Sequence, residues 1–86
     1  MKIISQGTLT TTRIELFTAT LDELVIVQLE NEKPAESTIE CGTFLDKVAL
    51  SDGGFPNQRE LKIEVKIGDI IYGKSGINEV KYKIIA

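Results

Sequence analysis

No histidine occurs among the 86 residues. Ser-His-Asp and Cys-His catalysis are excluded with it, and so are the common zinc sites. The one cysteine, Cys41, cannot form an internal disulfide, so the fold must hold without staples. It lies in the alternating stretch Ile39-Glu40-Cys41-Gly42-Thr43, with no positive neighbour of the kind a reactive thiol needs, and reads as a small buried side chain. Basic excess is also missing: 10 Lys and Arg stand against 13 Asp and Glu, for a net charge of −3. Nucleic-acid binding by phosphate neutralisation is therefore not expected, nor is an electrostatic membrane anchor. No apolar run approaches the ~20 residues of a membrane span. The run at Met1 to Gly7 is far shorter than a signal peptide, so use without Sec export is expected. The five aromatics, three Phe and two Tyr, offer no stacking platform for single strands.

What the chain does have is β patterning in a length that makes one domain, 1–86. The segment from Thr8 to Thr18 is rich in β-branched residues, with Ile14 and Leu16 on one face and Arg13, Glu15 and Phe17 on the other. Thr20 to Glu23 reads as a turn. Leu24-Val25-Ile26-Val27-Gln28-Leu29 is apolar on both faces, as in a strand covered on two sides. Glu30 to Glu36 is a polar loop broken by Pro34, and Ser37 to Leu45 alternates, with Gly42 as a bulge or close approach. Lys47 to Ser51 is a short strand, and Asp52-Gly53-Gly54-Phe55-Pro56-Asn57 is the clearest loop. Leu61, Ile63, Val65 and Ile67 alternate with Glu60, Lys62, Glu64 and Lys66, which describes a half-buried antiparallel strand with the apolar four facing inward. Ile70-Ile71-Tyr72 and Val80 to Ile85 supply two more strands. The expectation is an all-β, antiparallel two-sheet β-sandwich of jelly-roll or immunoglobulin-like kind, with six to eight short strands and no significant helix. A small closed barrel is the alternative.

Gly68-Asp69-Ile70-Ile71-Tyr72-Gly73-Lys74-Ser75 matches the letters of a phosphate-binding loop, G-x-x-x-x-G-K-[ST]. A working loop of that type leads into a helix whose N-terminus faces the anion. Here the intervening residues are bulky strand formers and another strand follows. Gly68 and Gly73 therefore read as turns at either end of a short strand, and Lys74 as a solvated turn charge. The acids at Asp22-Glu23, Glu30, Glu32 and Asp52 read as solvated loop charges, and Asp52-Gly53-Gly54 lacks the clustered oxygens of a calcium loop. Ser5, Ser37, Ser51 and Ser75 have no histidine base. No catalytic residue, cofactor-binding residue or metal ligand emerges, and the chain is expected to be no enzyme and to need no cofactor. Phe55, Pro56 and Asn57 are the expected protein-contact residues, with the segment Glu30 to Ser37 as a second contact region, both from presumed exposure.

Thr8-Leu9-Thr10-Thr11-Thr12 through Leu16-Phe17-Thr18-Ala19, the apolar strand Leu24 to Leu29, the following Asn31, and Val65-Lys66-Ile67-Gly68-Asp69-Ile70-Ile71 together resemble small β-sandwich virion structural proteins of tailed bacteriophages. The pattern departs after Ala19, where Thr20-Leu21-Asp22-Glu23 replaces a Pro-Ala-Gly turn. This resemblance implies a bacteriophage capsid decoration, head fibre or collar protein, located in the virion. Its implied partners are the major capsid, portal, neck or fibre protein, and it implies a homo-oligomer such as a trimer. A second resemblance covers Val65 to Lys74 and Glu79-Val80-Lys81, which are similar to the C-terminal part of the small co-chaperonin family, with Leu24 to Val27 echoing its early strand. That family's Gly-rich mobile loop is not apparent between Glu32 and Thr43. The co-chaperonin resemblance implies a seven-fold ring and a chaperonin partner. A small glycan-binding module is a further alternative.

Overall fold

A computed structural model describes residues 2–31, 35–41, 44–50, 57–76 and 78–86. The strands are β1 (Ile3–Leu9), β2 (Ile14–Thr18), β3 (Glu23–Asn31), β4 (Ala35–Cys41), β5 (Phe44–Leu50), β6 (Asn57–Val65), β7 (Ile70–Ser75) and β8 (Val80–Ile85). They form two four-stranded sheets, in the orders β1-β8-β3-β6 and β2-β7-β4-β5. Every pairing is antiparallel. The expected all-β two-sheet sandwich is what forms, and no helix occurs among the described residues.

Successive strands almost always change sheet. Among the described residues only β4 and β5 pair as neighbours in sequence, with Cys41 opposite Phe44. The alternating stretch from Ser37 to Leu45, expected as one strand, is thus divided between two. Gly42 and Thr43 lie outside the described residues.

The core lies between the sheets and follows the period of two. Val25, Val27 and Leu29 of β3 face Ile39 and Cys41 of β4 and Ile71 of β7 across it, with Leu61, Ile63 and Val65 of β6 and Val80, Tyr82 and Ile84 of β8 completing the layer. Burial of each large aliphatic side chain stabilises the fold by about 1.5–3 kcal/mol. β3 is covered on one face only. Its other face stays open, with Leu24 48% exposed and Ile26 and Gln28 half-buried. The two-sided burial expected for this strand fails because both layers of the sandwich are used up by the two sheets.

The Thr8 to Thr18 segment is two strands in different sheets. The chain breaks at Thr10 to Arg13, where the Thr10 hydroxyl accepts a hydrogen bond from the Thr12 N–H at 3.4 Å, the local turn-forming habit of threonine. A β-bulge between Glu15 and Phe17 shifts the β2–β7 register. The shift leaves Leu16 buried and lets Phe17 also pack on the core.

Gly73 is not a turn residue. It lies inside β7, buried, between Ile14 of β2 and Ile39 of β4. A Cβ there would meet Leu16 Cδ1 at 2.9 Å, Leu9 Cδ2 at 3.1 Å and Ile39 Cδ1 at 3.2 Å. Glycine lets three side chains close over that point. Lys74 is exposed as expected, but on a strand opposite Thr38. Ser75 is buried and joins the two sheets: its hydroxyl donates to Leu9 O at 3.2 Å, and its N–H donates to Thr10 O at 2.7 Å. Gly68 to Ser75 is therefore a turn followed by a strand, with no helix for an anion to face.

Candidate interaction surface

One end of the sandwich is built on a tied turn. Lys66-Ile67-Gly68-Asp69 closes with the Asp69 N–H donating to Lys66 O at 2.9 Å. Gly68 takes φ of 93°, the positive value that the third position of a type II turn demands. The Asp69 carboxylate accepts the Lys66 N–H at 2.9 Å. The turn is then bonded to the β2–β3 connection: Gly68 N–H donates to Ala19 O at 2.9 Å, and Ala19 N–H donates to Asp69 O at 2.8 Å. The Asp22 carboxylate accepts the Ile67 N–H at 2.8 Å. Two crossovers are knotted into one tip, which leaves Leu21 51% and Ile67 70% exposed.

Ile67 was expected to face inward by its place in the alternation. It falls beyond the end of β6 at Val65, where the turn takes the backbone out of the pleat. The inward set is Leu61, Ile63 and Val65.

The same end carries an apolar stripe on the outer face of the first sheet. Register places Ile3 opposite Ile85, Ile85 opposite Ile26, and Ile26 opposite Lys62, so one row crosses all four strands. Leu24, two residues before Ile26 on the same face, stands opposite Glu64. Ile3, Leu21, Leu24 and Ile67 are the exposed large hydrophobics among the described residues, and all belong to this end. Clustered apolar exposure of this kind marks an interaction site. Sequence reading passed over it because the apolar run of β3 implied burial on both faces.

Further along that face the character changes. Lys81 lies opposite Glu30, and the Gln58 amide donates to Glu30 at 2.8 Å. With Gln28, Glu60 and Lys83 these residues line a cleft. The outer face of the second sheet is also self-satisfied: the Arg13 guanidinium sits 3.7 Å from the centroid of the Tyr72 ring and pairs with Glu40 at 2.9 Å. Exposed pairs of this type contribute at most about 1 kcal/mol each.

The expected contact residues are placed as follows. Phe55 and Pro56 lie outside the described residues, while Asn57 opens β6 opposite Asn31. Glu30 and Asn31 belong to β3 and 35–37 to β4, with Asn31 and Ser37 buried, so the ends of the Glu30 to Ser37 segment are strand and not loop. Cys41 is buried as expected, and burial, aided by the Asp69 charge, raises its thiol pKa above the ordinary value of 9.0. Among the described residues no cluster of acids and cysteine is arranged to hold a metal ion. No helix among them is long and apolar enough to cross a membrane.

Comparison with known proteins corrects the family expectation. A Clostridium kluyveri protein named "Co-chaperonin GroES" is 36% identical over 70 residues, which are 80% of this chain and 66% of that protein. A Streptomyces griseus protein of the same name is 38% identical over 64 residues, 73% of this chain and 55% of that protein. The chain thus spans just under two thirds of the first and somewhat over half of the second. No protein-family model and no solved structure matches it. These relatives overturn the bacteriophage reading: the virion protein, its capsid, portal, neck and fibre partners, its trimer and its virion location. The threonine-rich opening and alternating strands that carried that reading are general properties of half-buried β-strands and so do not discriminate between sandwich families.

Proposed function

We propose that this chain is a co-chaperonin-type subunit, a non-enzymatic β module that assembles with copies of itself and docks on a chaperonin. The observation that carries the reading is the similarity to proteins named co-chaperonin across 80% of the chain. Two structural features support it. The Val65 to Lys74 segment, which resembles the co-chaperonin C-terminal part, forms the tied turn and β7, so the resemblance falls on a built feature. The exposed apolar residues Ile3, Leu21, Leu24 and Ile67 offer a surface on which a partner could be bound.

The resemblance implies a seven-fold ring, which requires head-to-tail contacts between unlike surfaces of neighbouring subunits. Such a subunit needs no nucleophile, cofactor or metal. Its work is done by differential binding to the states of its chaperonin partner. Phe55, Pro56 and Asn57 are proposed to contact that partner.

The decisive experiment adds the purified chain to a chaperonin that is hydrolysing ATP. The expected result is suppression of the ATPase that saturates with added chain, together with co-sedimentation of the two proteins. An ATPase that stays unchanged at a large excess of chain, with no co-sedimentation, rejects the reading. Phe55→Ala is expected to raise the amount of chain needed for half-suppression several-fold without changing the circular dichroism spectrum.

A further inference from the structure

The apolar stripe on the first sheet has a charge arrangement that points to an occupant. Its open edge ends in Lys62 and Glu64, two exposed residues two positions apart on β6, standing opposite Ile26 and Leu24 respectively. We propose that this half of the outer face docks a second copy of the chain, face to face, across a two-fold axis that passes between the Ile26–Lys62 row and the Leu24–Glu64 row.

That axis exchanges the two rows. Lys62 of one copy then faces Glu64 of the other, and the reverse pair forms at the same time. Leu24 likewise faces Ile26 in both directions, and Ile85 and Ile3 extend the apolar contact along the row. A contact of this kind is self-complementary, with two opposite-charge pairs and no like charges opposed. Moving the axis onto the Ile26 row would set Lys62 against itself, and moving it one row toward Glu60 would trade Leu24 for Gln28 opposite Ile26, so charge and apolar contact together favour this register. The other half of the face is less suited to docking, because it is polar and the Glu30 carboxylate there already accepts the Gln58 amide within the chain.

The contact is a small one. The molecule measures 36 × 25 Å along its longer axes, so half of that face projects roughly 450 Å², below the ~800 Å² per partner of a standard interface. Association is expected to show only at tens to hundreds of micromolar. The two-fold contact differs from the head-to-tail contacts of a ring and stands whether or not a ring forms.

Sedimentation equilibrium from about 10 μM to about 1 mM tests the proposal. The mass of the unit present at low concentration is expected to double as concentration rises. K62E and E64K each oppose like charges and are expected to weaken this step at least tenfold, while the double variant K62E/E64K restores it. Leu24→Glu is expected to abolish it. All three positions are exposed, and circular dichroism checks that the variants fold. Failure of the wild type to double by 1 mM overturns the proposal. So does doubling that survives both single variants, or a double variant that stays undoubled. ATPase suppression measured on K62E keeps the two readings apart: suppression that persists while doubling is lost leaves the co-chaperonin role intact. Doubling without suppression rejects that role alone.

Discussion

Gly73 and Gly68 are both glycines of the same eight-residue motif, yet the structure needs them for different reasons. At Gly73 the constraint is space. A methyl group there presses on the ends of Leu9, Leu16 and Ile39 at once, and overpacking of a closed core costs about 1–3 kcal/mol. Gly73→Ala is expected to lower the unfolding free energy by that amount, read as a lower urea midpoint with little change in the slope of the transition. At Gly68 the constraint is conformational: nothing lies within 4 Å of an added Cβ, but φ of 93° is strained for any side chain. Gly68→Ala is expected to cost roughly 1–2 kcal/mol. Adding the smaller Leu9→Val to each separates the two cases, since it opens space beside residue 73 and changes nothing at residue 68. Cys41 gives a pH signature. Its folded pKa lies above the ordinary 9.0, so the folded chain holds the thiol proton more tightly than the unfolded chain does. The stabilisation is complete below the unfolded value and is lost as pH rises through the folded one. Urea unfolding at about pH 8 and about pH 10 is expected to show a larger drop for the wild type than for Cys41→Ala.

At the level of elements, the tip formed by the β2–β3 and β6–β7 connections depends on two carboxylates that accept backbone N–H groups. Asp69→Ala removes the acceptor for Lys66 N–H and is expected to cost about 1 kcal/mol. Hydrogen exchange at the Lys66 and Ile67 amides should accelerate while exchange in β3 and β8 stays slow. Uniform acceleration throughout the chain would instead mean that the tip is part of the global fold. Strands with one buried face were readable from the sequence: Leu61 to Val65 and Val80 to Ile84 alternate, and so they are buried. What failed were positions where long-range packing decides. Leu24 and Ile26 look like core residues because nothing local tells one sheet face from another. Gly73 looks like a turn because glycine signals flexibility in sequence and close approach in structure. Ile67 follows the alternation of its strand, but the strand has ended. The candidate surface was illegible for the same reason, since its residues come from β1, β3, β6, β8 and two connections and meet only through the register.

The whole molecule is thin. Its Cα extents are 36 × 25 × 18 Å, and a chain of this size buries only about 60–65% of its unfolded surface. The proposed assembly would therefore contribute a larger share of its stability than it would for a bigger domain. The melting temperature is expected to rise with protein concentration, and a concentration-independent melt would mean that the copies fold and persist alone. The order of strands has a consequence for synthesis. β1 is made first, yet its hydrogen-bonding partner is β8, and β3 needs both β6 and β8. Until β8 has left the ribosome, the first sheet lacks the strand that joins β1 to β3, and β4–β5 is the one pairing available between neighbours in sequence. A translating ribosome must hold β1 without its partner through all of that synthesis, and β3, with Val25, Val27 and Leu29, without any partner until β6 is made. The protein that we propose serves a folding machine has a topology in which its first sheet closes only after β8 has been made.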